Sequence, residues 1–247
     1  RPIKVFSDSV VEYLNQLSKI LFTDERTKAY PDVGTVAFYC RQGNLRTLKK
    51  KFARGNNFRL GRGLIFHITP SNVPVNFAYS LIAGLLSGNT NVVRVPSKNF
   101  EQVQIIIDAI NLIAQDKQHT AISNRIILIR YDTEDQIITQ ELSSLCNVRV
   151  IWGGDETIGN IRAHTLSPRA YDLTFSDRYS ICIINADSFV NERNTGAIVS
   201  GFYNDTFLFD QNACTSPHLV LWLGSKENVE SSQYVFWSEL HKLVKEK

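Results

Sequence analysis

From Gly63 onward the sequence alternates between two patterns, and that rhythm restricts the possible folds more than any other feature. Leu64-Ile65-Phe66-His67-Ile68 is a short apolar run of the kind that forms a strand buried on both faces. Thr69-Pro70-Ser71-Asn72-Val73-Pro74 turns the chain, and Val75 to Ser87 reads as an apolar helix rich in Ala, Gly and Ser. Gly88-Asn89 supplies its left-handed stop. The unit then repeats. Asn91 to Val95 is a strand halted by Pro96, and Asn99 to Ala114 is a helix. Arg125 to Arg130 is a third strand, with Asp132 or Thr133 placed to cap a helix through Leu145. Val148 to Trp152 is a fourth, followed by Gly153-Gly154-Asp155 and a short helix. Four alternations at this spacing predict an α/β fold built on a doubly wound parallel sheet, which binds ligands at the carboxyl ends of its strands.

The flanks differ in character. Residues 1–60 read as a helical, polar segment: Ser9 to Leu21 has apolar residues at helical spacing, and Leu45 to Phe52 is basic and amphipathic, with Tyr30-Pro31-Asp32 breaking the two. A second α/β block follows the first. Tyr179 to Asn185 reads as a buried strand, Thr195 to Tyr203 as a helix, Leu219 to Leu223 as a strand and Val229 to Val244 as an amphipathic helix. The segmentation is therefore 1–60, a nucleotide-binding domain over 61–172, and the start of a second domain over 173–247. No internal repeat beyond the βα rhythm is visible, and no low-complexity linker.

Composition narrows the classes. A net charge of +3, with one short run Lys49-Lys50-Lys51, makes no basic stripe, so nucleic-acid binding is not expected. No apolar stretch is long enough to span a membrane, and no segment has signal-peptide character. Cys40, Cys146, Cys182 and Cys214 stand far apart with no C-x-x-C pair, which points away from zinc or a disulfide framework and towards a reducing, cytoplasmic setting. The chain has no Met and begins at Arg1. That is expected of a piece of a longer polypeptide, or of a sequence from which modified methionines are missing.

No G-x-G-x-x-G follows any strand, and Gly61-Arg62-Gly63 precedes the first, so the usual dinucleotide fingerprint is missing. Three segments nevertheless carry a resemblance. His67 to Pro74 with Gly88 to Ser97 resembles the first βαβ unit of aldehyde dehydrogenases. Ile151-Trp152-Gly153-Gly154-Asp155-Glu156 is similar to that superfamily's later glycine turn, where helix-start amides meet the pyrophosphate. Gln211-Asn212-Ala213-Cys214 is similar to its nucleophile segment. Within the superfamily, Trp152-Gly153-Gly154 and Asp210 to Pro217, with Tyr30-Pro31 and Arg41 to Leu45, most resemble the long-chain fatty acyl-CoA reductases of bacterial bioluminescence.

The resemblance implies roles residue by residue. Cys214 would be the thiolate nucleophile, forming an acyl-enzyme. Asn72 would donate to the oxyanion together with the Cys214 backbone N–H; a turn-forming residue capping the next helix is the structural alternative. Thr69, Pro70, Ser71, Arg94, Ser97, Lys98, Gly153 and Gly154 would contact the cofactor. That cofactor is NADPH, because Ser97 stands where NAD-preferring relatives carry an acid. Ser97 capping the following helix is the alternative there. No metal is implied. His67 and His218 read as structural, and Cys182 as core. Hydrolytic relatives carry a glutamate base where Leu173-Thr174-Phe175-Ser176-Asp177-Arg178 places Thr174, unless Asp177 substitutes. The implied activity is NADPH-dependent reduction of a long-chain acyl thioester to a fatty aldehyde, with acyl-CoA or an acyl-protein synthetase as donor, in a homo-oligomer. Short-chain CoA-acylating dehydrogenases, acyl-phosphate reductases and an inactive nucleotide-binding module stay open. The family's catalytic domain continues well beyond the position matching Lys247.

Overall fold

The run Leu64–Ile68 becomes β1, the central strand of a sheet, and four of its five residues are buried. With it, β2 (Thr90–Arg94), β3 (Ile126–Ile129), β4 (Val148–Trp152) and β5 (Tyr171–Phe175) lie in the order β3-β2-β1-β4-β5, parallel throughout. The computed structural model describes residues 1–52, 58–208, 211 and 213–246. Helices α1 (Asp8–Thr23), α2 (Pro31–Tyr39) and α3 (Gln42–Phe52) precede the sheet. α4 (Asn76–Leu86) links β1 to β2, while α5 (Glu101–Ala114) and the single turn α6 (Thr120–Ser123) link β2 to β3. α7 (Gln136–Leu145) and α8 (Asp155–Arg162) precede β4 and β5.

Alternation along the strands explains why both faces are covered. Phe66, Ile68, Val92 and Ile151 bury with Cys146, Ile158 and Ile161 beside α7 and α8. Ile65, Val148 and Val150 cluster on the other face, where His67 bonds to Ser80 of α4. Each such apolar side chain contributes roughly 1.5–3 kcal/mol by leaving water. α4 ends as its sequence demands. Gly88 has φ of 83°, its N–H donates to Leu85 O, and Asn89 N–H donates to Gly84 O, closing the helix on a left-handed glycine.

Several local expectations are corrected. The break before Pro31 is present at Tyr30, but Pro31 also opens a further helix, α2, because a first-turn residue needs no N–H. The cap of α7 is Asp135, whose carboxylate accepts from Ile138 N–H at 3.3 Å, and not Asp132 or Thr133. The chain divides into two compact units, Arg1–Asp177 and Arg178–Lys247. Residues 1–60 and 173–177, set apart in the sequence reading, belong to the first. Ile3 N–H donates to Gly88 O and Gly61 N–H to Ile3 O, which stitches the amino terminus to that unit.

In the second unit β6 (Ser180–Asn185) and β7 (Pro217–Leu223) form a parallel pair. The turn α9 (Ala186–Phe189) and α10 (Thr195–Phe207) lie between them, and α11 (Lys226–Glu246) follows. Phe189, Val199, Phe236 and Leu240 form the core. β6 is not the fully buried strand expected: burial alternates along it, leaving Ile181 and Ile183 exposed and Cys182 half-buried.

The edge strand β5 is held by an ion pair. Arg149, 1% exposed in β4, donates Nε and Nη2 to the two carboxylate oxygens of Asp172 at 2.7 and 3.0 Å. Nη1 donates to Ser143 Oγ and His164 O, so the guanidinium is satisfied on every side. Removing Asp172 leaves the Arg149 charge buried without an acid, and removing Arg149 leaves Asp172 with only Arg162, 3.6 Å away at the surface. Arg149→Met should cost roughly 3–5 kcal/mol in urea unfolding, and adding Asp172→Leu should recover most of it. A single-variant cost below about 1 kcal/mol, the scale of an exposed pair, would contradict this assignment.

Candidate functional site

After β1 the chain builds outward through β2 and β3, then crosses back to add β4 and β5 on the other side of β1. The loops leaving β1 and β4 therefore diverge, and a crevice opens between them at the carboxyl edge. Ile68 pairs with Ile151, so Thr69, just past β1, lies level with Trp152, the last residue of β4. Both motif loops, Thr69 to Pro74 and Gly153-Gly154, start at this crevice.

Thr69 Oγ1 donates to Arg94 O at 2.7 Å and ties the end of β1 to that of β2. Pro70 is half-buried, and Ser71 and Asn72 are exposed. Val75 occupies the cap position of α4 and no side chain caps it. The capping role for Asn72 therefore fails, and its amide has no hydrogen bond among the described residues. Gly153 N–H donates to Phe175 O at 3.2 Å, and a Cβ on Gly153 would press on Thr157 at 3.0 Å. Gly154 opens α8, whose first-turn amides have no intrahelical acceptor and suit an anion. Asp155 and Glu156 lie in that same turn, and a Cβ on Gly154 would sit 3.8 Å from the Asp177 carboxylate.

Arg94 is fastened rather than free. Its Nη2 donates to Thr133 Oγ1 at 2.6 Å and its guanidinium lies 4.6 Å from the centre of the Tyr131 ring. Ser97 and Lys98 are exposed at the end of β2. α5 starts at Glu101 with Phe100 in the cap position and no side-chain cap, so Ser97 does not cap it. Thr174 lies within β5 paired to Ile151, whereas Asp177 lies beyond the strand end beside Gly154.

A buried hydrogen-bond chain crosses beneath the crevice, which the sequence reading missed apart from a structural His67. Trp152 Nε1–H donates to Ser80 Oγ at 3.1 Å, and Ser80 Oγ lies 2.8 Å from His67 Nδ1. His67 Nε2 lies 3.0 Å from Asn91 Oδ1, and Asn91 Nδ2 donates to Asn89 O. One direction satisfies every member: Ser80 donates to Nδ1, and the proton of neutral His67 sits on Nε2. A Cβ on Gly84 would collide with Asn91 Oδ1, so glycine is required there. Burial lowers the His67 pKa to about 4, against the opposing pull of the Asn91 bond. Trp152 also stacks on Phe175, ring centres 4.0 Å apart at 11°. The signal available for that pair was that both strands end on an aromatic residue.

Cys214 is exposed between α10 and β7. Ser180 Oγ–H donates to Cys214 O at 2.8 Å, and Ser216 N–H to Ala213 O at 2.9 Å, shaping the turn. Gln211 adopts φ of 60°. Asp210 and Asn212 of the same segment lie outside the described residues. Burial pushes the Cys40 thiol up to about 12 and Cys146 to about 11, and raises Cys182 as well. His218 stacks on Tyr179 at 5.1 Å. Among the described residues no cluster could hold a metal ion, and no helix is long and apolar enough to cross a membrane.

The fold is similar to that of about half the length of solved aldehyde dehydrogenases. An aldehyde dehydrogenase from Bartonella henselae superposes with a TM-score of 0.58 at 15% identity, covering 93% of this chain and 50% of that one. Glyceraldehyde-3-phosphate dehydrogenase GapN from Methanocaldococcus jannaschii, solved with NADP, gives 0.59 at 16%, covering 95% and 52%. The chain belongs to the acyl-CoA reductase (LuxC) family, whose sequence profile matches residues 41–244. A long-chain acyl-protein thioester reductase from Photobacterium leiognathi is 24% identical over 170 residues, 69% of this chain and 34% of that protein. The chain thus spans about a third of the length of the curated relatives it matches.

Two measurements check the site. Maleimide labelling of the native chain should modify Cys214 first, Cys182 more slowly, and Cys40 and Cys146 only on unfolding; early labelling of Cys40 would contradict the burial described. The second concerns His67. Its folded pKa of about 4 lies below the ordinary 6.5, so as pH falls the unfolded chain binds the proton first. Stability is full above pH 6.5 and falls by roughly 3 kcal/mol towards pH 4. His67→Gln should flatten that part of the stability curve, and an unchanged slope would rule out a buried neutral His67.

Proposed function

We propose that this chain supplies the cofactor crevice and the nucleophile of an NADPH-dependent reductase that converts a long-chain acyl thioester to a fatty aldehyde. The observation that carries the reading is Cys214: it is the one exposed thiol of the four cysteines, on a turn, in a chain of an acyl-CoA reductase family.

In this reading the Cys214 thiolate attacks the thioester carbonyl, a bond forms to sulfur, and the donor thiolate leaves and takes up a proton. The family resemblance gives the oxyanion donors as the Asn72 amide, uncommitted in the structure, and the Cys214 N–H. The cofactor would be held at the crevice by the free first-turn amides of α8 and by the loop after β1, where Thr69 is buried, Pro70 half-buried and Ser71 exposed. When bound, reduced nicotinamide supplies hydride to the acyl carbon. The hemithioacetal on Cys214 then collapses to aldehyde and thiolate. Thr174 cannot serve as a base near neutral pH, which leaves the acyl group to wait for hydride instead of water. The donor is an acyl-CoA or an acyl-protein synthetase.

NADPH is favoured because Ser97 and Lys98 are exposed at the end of β2 with no carboxylate in the acidic position and no capping duty. Arg94 contributes less than its charge suggests, since Thr133 and Tyr131 hold it. Ser97→Glu should weaken NADPH binding strongly and leave NADH nearly unchanged. Equal loss for both would retire this preference. Incubation with a long-chain acyl-CoA should add one acyl mass at Cys214, lost in Cys214→Ala; an adduct persisting in that variant would refute the nucleophile.

A further inference from the structure

Cys214 stands at the second position of a four-residue turn, and the two peptide planes that adjoin it are each held by a hydrogen bond. Ser216 N–H donates to Ala213 O at 2.9 Å and closes the turn over residues 213–216. A trans peptide sets its N–H opposite its C=O, so fixing Ala213 O also fixes the direction of Cys214 N–H. Ser180 Oγ–H, from the first residue of β6, donates to Cys214 O at 2.8 Å. By the same planarity that bond sets the direction of Thr215 N–H. Among the described residues neither Cys214 N–H nor Thr215 N–H has an acceptor.

The central peptide of such a turn has two orientations, about 180° apart, which distinguish type I from type II. Type II requires a positive φ at the third position. That position is Thr215, a β-branched residue that avoids this region, and Thr215 is not among the residues with positive φ. The orientation present turns Cys214 O to Ser180. A flip would take Cys214 O off the Ser180 hydroxyl and reverse Thr215 N–H with it. The β-branch of Thr215 and the Ser180 bond therefore select the same orientation. Strand pairing brings Ser180 to the turn: it lies opposite Pro217, the residue after the turn, at the irregular start of the β6–β7 register.

We propose that Ser180 is a positioning residue for acyl transfer, a role that rests on the reading of Cys214 as the nucleophile. It holds the Cys214 carbonyl aside, so that Thr215 N–H joins Cys214 N–H as a donor to the oxyanion. When Sγ attacks a thioester, the new C–S bond pushes an electron pair onto the carbonyl oxygen, and the pair returns as the donor thiolate leaves. That oxygen hangs from the same Cα that the two N–H groups flank. Two outward N–H groups stabilise it, whereas a flipped peptide would offer it the negative end of a carbonyl. Alkylation of the same sulfur by iodoacetamide displaces iodide at a saturated carbon. It builds no oxyanion and needs neither donor.

The test compares these two reactions on one sulfur, in the unaltered protein and in Ser180→Ala. Acylation by palmitoyl-CoA and alkylation by iodoacetamide are followed at Cys214 by intact mass and peptide mapping over time. Ser180→Ala should slow acylation roughly tenfold, short of the ~hundredfold for removing an oxyanion donor outright. Its alkylation rate should stay within about twofold, and its Tm should hardly move. Ser180→Thr, which keeps the hydroxyl, should restore acylation. Thr215→Gly admits positive φ and with it the flipped peptide; combined with Ser180→Ala it should slow acylation further than either change alone. An acylation rate unchanged in Ser180→Ala overturns the proposal. An equal loss of both reactions also overturns it, since Ser180 would then only shape the turn. If the unaltered protein is alkylated at Cys214 but never acylated, the nucleophile reading fails and the positioning role falls with it.

Discussion

The first unit depends on the directional hydrogen-bond chain from Trp152 through Ser80 and His67 to Asn91. It joins β4, α4, β1 and β2 at the place where the strand order reverses. A reversal point is a weak place in a sheet, because the loops above it diverge and cover nothing. Buried polar groups there must be fully satisfied or they destabilise the fold. Neutral His67 meets that demand by accepting on one nitrogen and donating on the other. Gly84 makes room for the Asn91 amide at the required distance. The crevice is thus held open from beneath, by side chains that ligands in it need not touch.

The same economy governs the groups around the crevice. Thr69 closes β1 onto β2, Gly153 spends its N–H on Phe175, and Arg94 is turned to Tyr131 and Thr133. What stays uncommitted is a short set: the Asn72 amide, Ser97, Lys98 and the first-turn amides of α8. In the proposed function these are the groups that would meet a cofactor or an oxyanion, because no internal bond has to break first. Arg149 and Asp172 keep β5 aligned with β4, and so keep Phe175 stacked against Trp152.

Much of the first sheet was legible because its signals are local. β1 was readable to the residue, since burial on both faces writes a continuous apolar run, and Gly88 marks its own helix end. The cofactor loops were legible through family resemblance, not through a glycine fingerprint. β5 was not legible as a strand: at the sheet edge its side chains alternate between half-buried and exposed, and no apolar run is needed. Pro31 marked the break but not the helix it opens, because the same residue can follow one helix and begin another. The pairs Arg149–Asp172 and Trp152–Phe175 join residues 23 apart in sequence. Strand register creates them, and register leaves no trace in composition or spacing. Cys182 is half-buried because burial alternates along β6, and the uniformly apolar run Ile181 to Ile184 gives no sign of that alternation.

In the proposed function the crevice between β1 and β4 receives the reduced cofactor, and Trp152 at its edge can report on it directly. The chain has three tryptophans, so Trp222→Phe with Trp237→Phe leaves Trp152 as the sole indole. Titrating NADPH into that protein should quench Trp152 emission saturably, with energy transfer to bound nicotinamide, and the response should survive Cys214→Ala. A flat, non-saturating response, with NADPH binding intact by calorimetry, would place the cofactor elsewhere and contradict the account.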